Sequence, residues 1–155
     1  MSDYGYLGNP NLKKSGVELH YTEEQIVELA KCSEDPIYFI DNYCMIVTLD
    51  HGIQPFKLYD CQKKKIQLIH DERKVILMEG RQQGKTTSAA AYILWYTLFQ
   101  ESKSVAILAN KSSTAREIMS RYQLMYEHLP IWMQQGIRNW NKGDVELENG
   151  SKVFT

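Results

Sequence analysis

An α/β fold, with a parallel sheet flanked by helices, is what this sequence predicts, and three observations predict it. The apolar run Val75-Ile76-Leu77-Met78 has the length and β-branched content of a buried parallel strand, and a glycine-containing turn and a helix-forming run over residues 88–99 follow it. Ser104-Val105-Ala106-Ile107-Leu108-Ala109 supplies a second apolar strand, so the three pieces form a βαβ unit whose right-handed crossover would set the two strands parallel. Asn149-Gly150 stands between two strand-like runs within residues 144–155, a strong signal for a hairpin.

Taken in order, residues 1–20 are rich in Gly, Asn, Ser, Tyr and Lys and show no periodicity, which predicts a flexible arm or a segment that orders only against a partner. The main unit is expected over residues 21–155. Thr22-Glu23-Glu24-Gln25 is a capping box, with Tyr21 and Ile26 placed as a hydrophobic staple and Ile26, Leu29 and Ala30 on one face. Asp35-Pro36 opens a second helix, whose stripe is Ile37, Ile40 and Tyr43 or Cys44. Residues 45–49 read as a strand closed by Asp50-His51-Gly52, which leaves His51 in a solvated turn. Residues 56–62 lead into a helix with Leu58, Ile66 and Ile69 inward and Lys63-Lys64-Lys65 on a solvated face. Past the second strand, Asn110-Lys111-Ser112-Ser113 sits where α/β sheets build their sites. Thr114-Ala115-Arg116-Glu117 reads as another capping box, and Ile118, Tyr122, Met125 and Leu129 make one buried stripe. Pro130-Ile131-Trp132-Met133 begins a short helical turn that Gly136 ends.

Composition sets the outer bounds. A chain of 155 residues fits one domain with a real core, and 43% hydrophobic with 24% charged residues is ordinary for a globular protein. With a net charge of −1 and a pI of 6.4, any nucleic-acid contact must be a local patch rather than a global positive field. Cys32, Cys44 and Cys61 are widely spaced, without a CxxC pair or a histidine at ligand spacing, so they read as reduced core thiols. The N-terminus lacks the apolar core of a signal peptide, and the longest apolar-rich run, residues 89–99, is too short to span a bilayer. These features predict a soluble intracellular protein.

The chemistry concentrates in Gly80-Arg81-Gln82-Gln83-Gly84-Lys85-Thr86-Thr87. Strand, glycine loop, Gly-Lys-Thr and helix form the order of a P-loop. Backbone N–H groups must curl around a phosphate chain, and Gly84 permits the backbone angles and close approach this needs. Lys85 brings a mobile charge to the β/γ-phosphates, Thr86 a hydroxyl for Mg²⁺, and the helix its positive end. The pattern is a variant, because position 79, where a glycine belongs, holds Glu79. A surface turn ending in lysine is the plainer reading; the strand before and the helix after favour nucleotide binding. Gln62, on an aromatic-preceded helix upstream, is open between an adenine-reading amide and a surface glutamine.

From about Tyr21 to Thr155 the chain resembles the ATPase domain of the large terminase subunit of T4-type tailed bacteriophages. The resemblance rests on GRQQGKTT at residues 80–87, VAILANKSS at 105–113, and the Leu-Pro, Gly-Ile, Trp-Asn-Lys-Gly and Glu-Leu-Glu-Asn-Gly-Ser pieces across 129–151. It implies an ASCE-type P-loop NTPase, an ATP- and Mg²⁺-dependent motor that packages double-stranded DNA into a procapsid. It also implies a portal protein and a small terminase subunit as partners, and a homo-oligomer on the portal. The expected location is the host cytoplasm, with transient residence at the portal vertex. Lys85 and Thr86 match the family's phosphate lysine and magnesium hydroxyl, Arg81 an arginine acting in cis on the γ-phosphate, and Gln62 an adenine-reading glutamine. Gly80, Gln82, Gln83, Gly84 and Thr87 complete the expected cofactor-binding set, with Arg81 and Lys85 in catalytic roles.

No apolar run here ends in the Asp-Glu pair that motor ATPases use for Mg²⁺ and water. The expectation is therefore an N-terminal part of the domain, truncated at a β-hairpin, without the Walker B region or the nuclease. A helicase-like P-loop translocase shares the glutamine and the GKTT loop, and a non-catalytic structural remnant is the alternative from another class.

Overall fold

The computed structural model describes residues 4–48 and 50–155. A hairpin of β1 (Gly5–Tyr6) and β2 (Asn9–Lys13) comes first, then α1 (Glu23–Glu34) and α2 (Pro36–Tyr43). A second hairpin pairs β3 (Met45–Thr48) with β4 (Gly52–Pro55), and α3 (Asp60–Asp71) follows. After an extended segment and the glycine loop come α4 (Lys85–Phe99), β5 (Ser104–Ala106) and α5 (Ser112–Glu127). A 3₁₀ turn (Ile131–Met133) leads to β6 (Ile137–Trp140), β7 (Asp144–Leu147) and β8 (Lys152–Phe154).

The architecture is mixed α/β, but the expected parallel P-loop sheet is not what the chain forms. The largest sheet runs β5-β8-β7-β6; only β5 and β8 are parallel, and the other two pairings are antiparallel. Residues 75–78 are no strand, and no backbone bond joins them to β5 among the described residues. The physical reason lies in contact range. The turn at Asn149 and Gly150 (φ +83°) closes β7 on β8 locally, and β8 then pairs with β5, whose other edge carries no strand among the described residues. The second strand is also shorter than residues 104–109 suggest. Ile107 still donates to Phe154, but Leu108 projects outward.

α4 is the central helix, packed by α2, α3 and α5, and it buries Ala90, Ala91, Leu94, Trp95 and Leu98. Each large apolar side chain buried there contributes about 1.5–3 kcal/mol. Polar groups along the helix are satisfied in place. Trp95 Nε1 donates to Cys32 O at 2.8 Å, and the hydroxyls of Thr97 and Tyr122 lie 3.1 Å apart in the core. Asn149 Nδ2 donates to Thr97 O at 2.9 Å, so the β7–β8 turn closes the far end of α4. Together these contacts hold the C-terminal half of the helix in the core.

Other local expectations divide by range. The capping box at Thr22 forms, with Gln25 N–H on Thr22 Oγ1 at 3.2 Å and Thr22 N–H on Gln25 Oε1 at 3.1 Å. Ile26, expected on the buried face, is exposed, and Cys32 is buried instead. The second capping box is absent. α5 starts at Ser112, two residues before Thr114, and Glu117 turns to Arg121 at 2.8 Å rather than back to the helix start. The stripe Tyr122, Met125 and Leu129 is buried, with Ile118 at its margin. Cys32 and Cys44 are core thiols, whereas Cys61 is exposed. The strand expected over residues 45–49 forms through Thr48, and Leu49 lies outside the described residues. Within the stretch expected as an arm, Leu12 and Lys13 are buried. Lys13 N–H meets Gln134 Oε1 at 2.9 Å, and Ser15 N–H meets Ile137 O at 3.1 Å.

Candidate nucleotide-binding loop

The loop before α4 leaves its backbone donors open. α4 starts at Lys85 with Gly84 as N-cap in the left-handed region (φ +72°), and no side chain caps it. Ahead of α2, by contrast, Asp35 Oδ1 takes the N–H groups of Ile37 and Tyr38 at 2.8 and 3.0 Å. The N–H groups of Lys85, Thr86 and Thr87 thus have neither an intrahelical acceptor nor a capping side chain among the described residues. Backbone donors at a helix start suit an anion. α5 also begins uncapped, behind Lys111 as N-cap; α4 differs in following a left-handed glycine, with its lysine turned back onto the carbonyls of the loop.

Lys85 Nζ folds back to donate to the carbonyls of Glu79 and Gly80 at 2.7 and 3.0 Å, bridging the end of the loop to its start. Gln62, only 4% exposed, lies under the loop. Its Nε2 donates to Gln83 O at 3.3 Å, while its Oε1 accepts from Tyr59 N–H at 3.1 Å. The contact is close enough that a Cβ at position 84 would lie 2.5 Å from Gln62 Nε2. Glycine is needed there for space as well as for φ.

Glu79, standing where the motif has a glycine, is held from below. Lys65 Nζ on α3, its side chain 4% exposed, pairs with Glu79 Oε2 at 3.1 Å. A cleft of about 280 Å³ opens beside this pair, lined by Cys61, Lys65, Glu79, Gly80 and Gln83. A larger cavity of about 550 Å³ lies against Leu98, Phe99 and Asn149, at the opposite end of α4. Size alone would select that cavity, but the open amides and the lysine are at the loop.

The remaining expected residues are placed as follows. Arg81, Gln82 and Gln83 are exposed, and Arg81 makes no ion pair or hydrogen bond among the described residues. Gln82 has φ +62°, uncommon for a residue with a side chain and typical of tightly curled loops. Thr86 and Thr87 are half-buried on the first turn of α4. Thr86 makes no side-chain hydrogen bond there, so its lone pairs are open to a hard cation. Among the described residues no three His, Cys, Asp or Glu side chains are grouped to hold a metal.

Three residues of this region escape sequence reading. Lys65 sits in the lysine run read as solvated, yet it is buried, Lys63 is half-buried and Lys64 is the exposed member; Lys63 pairs with Asp41 at 3.0 Å, which raises its pKa. The available signal was its position three residues after Gln62 and next to Ile66, on the inward side of α3. Glu79 was visible as a departure from the motif but without a partner. Arg121, on α5, donates from Nη1 to Thr87 Oγ1 at 2.7 Å, and nothing in the sequence links those positions. His51, Lys111 and Arg116 are exposed and lie outside these contacts.

A family model described as terminase large subunit, T4likevirus-type, N-terminal, matches residues 76–155, just over half of the chain. The match takes in the loop, α4, the β5–α5 turn and the β6–β7–β8 sheet. The chain belongs to the T4-type terminase large-subunit family, and its sequence corresponds to that subunit's N-terminal region.

Proposed function

We propose that this terminase sequence binds ATP with Mg²⁺ at residues 80–87 and serves, in the complete subunit, as the ATPase of a motor that packages double-stranded DNA into a procapsid. The observation that carries the reading is the uncapped start of α4 behind a left-handed Gly84, with Lys85 already turned across the loop. Lys85 would meet the β/γ-phosphates, the open N–H groups of Lys85, Thr86 and Thr87 the phosphate oxygens, and Thr86 the Mg²⁺. Exposed Arg81 is the cation available to the γ-phosphate, as the family resemblance implies. Mg²⁺ neutralises charge on the phosphates when bound. Gln62 supports the loop through Gln83 in this conformation, and reading adenine would require its amide to exchange that partner.

The wider setting is proposed from the family resemblance. A portal protein, a small terminase subunit and double-stranded DNA are the proposed partners, with assembly as a homo-oligomer on the portal. The host cytoplasm and the portal vertex are the proposed locations. Lys85→Ala removes the ammonium without touching the core. It is expected to weaken binding of a fluorescent ATP analogue by at least 100-fold in an anisotropy titration with Mg²⁺. Unchanged affinity in that variant would rule out the assignment.

A further inference from the structure

Thr86 and Thr87 are adjacent hydroxyls with different surroundings. Thr87 Oγ1 accepts from Arg121 Nη1 at 2.7 Å, and Arg121 Nη2 is held by Glu117 Oε1 at 2.8 Å, one turn earlier on α5. The fork is fixed at both ends, so it presents a charged donor to the Thr87 oxygen. A hydroxyl has one proton and two lone pairs, and one bound by a guanidinium is poorly suited to bind a cation as well. Among the described residues nothing accepts the Thr87 proton. Thr86, by contrast, makes no side-chain bond there.

We infer that Arg121 is a positioning residue that makes Thr87 a dedicated hydrogen-bond donor to the phosphate chain, while Thr86 alone serves the metal. This rests on the nucleotide reading above and assigns that site a contribution from α5. An anion accepts the proton that Arg121 leaves free, and the guanidinium behind the hydroxyl strengthens that donation. Arg121 itself need not touch the nucleotide.

The test is a double-mutant cycle on the full 155-residue chain, read by isothermal titration with ATP in Mg²⁺ and again in EDTA. Thr87→Val and Arg121→Gln are each expected to weaken ATP binding about 10-fold, with the double variant no weaker than about 20-fold because both remove one donated bond. The ratio of affinities with and without Mg²⁺ is expected to stay at the wild-type value in both, and to fall in Thr86→Val. Arg121→Lys, which restores a charged donor, is expected to recover part of the loss, and thermal melts distinguish weakened binding from unfolding. Wild-type affinity in Arg121→Gln, or losses that multiply to about 100-fold in the double variant, overturns the inference while leaving the nucleotide site standing. A folded wild-type chain that binds no ATP overturns the nucleotide reading, and this inference with it.

Discussion

Glu79 shows how one side chain can replace a motif glycine without opening the loop. Its carboxylate bonds Lys65 at 3.1 Å, and its carbonyl accepts from Lys85 Nζ at 2.7 Å, so two lysines from different elements meet at one residue. The Lys65 ammonium has little water around it, and removing its partner leaves a shielded charge. Glu79→Ala is therefore expected to destabilise the chain by about 1–3 kcal/mol, toward the lower end because the carboxylate is partly solvated. Lys65→Met combined with Glu79→Leu is expected to recover most of that loss, since no orphaned charge remains. Urea unfolding of the three proteins checks both outcomes, and equal destabilisation of the single and double variants would discard the ion-pair account.

At the scale of elements, the start of α4 joins a backbone requirement to a packing requirement. Gly84 carries a positive φ, and its missing side chain makes room for Gln62. Gly84→Ala is expected to cost about 1–2 kcal/mol from the left-handed backbone alone. A further loss is expected because Gln62 must leave both Gln83 O and Tyr59 N–H to clear the new methyl group. In a Gln62→Ala background that second part disappears, so the same substitution is expected to cost less there. Thermal unfolding of the four combinations measures the difference, and identical costs in both backgrounds would remove Gln62 from the explanation. The sequence made half of this legible. Gly-Lys-Thr before an apolar helix marks the helix start through local backbone chemistry, as Thr22 and Asp35 do for α1 and α2. The glutamine strut and the Lys65–Glu79 pair connect residues 21 and 14 positions apart, and no local pattern encodes such contacts.

For the whole molecule, the same rule explains the sheet. The β7–β8 hairpin was legible because Asn149 and Gly150 close it within a few residues, whereas the parallel pairing expected for residues 75–78 depended on distant partners. The apolar content that made those residues read as a buried strand is instead on the surface: Ile76 is 91% exposed, Met78 93% and, beyond β5, Leu108 89%. Side chains two residues apart in an extended chain share one side, so Ile76 and Met78 present an apolar face to water. Each is expected to add to dye binding and self-association while contributing little to folding, because surface substitutions away from such contacts usually change stability by about 0.5 kcal/mol or less. Ile76→Lys with Met78→Lys is thus expected to lower fluorescence of an apolar-surface dye and to shift sedimentation toward monomer. Its urea midpoint should stay near that of the parent chain. A large fall in that midpoint would instead mean that the segment is packed in solution, with residues 75–78 contributing to a core as the apolar pattern first suggested.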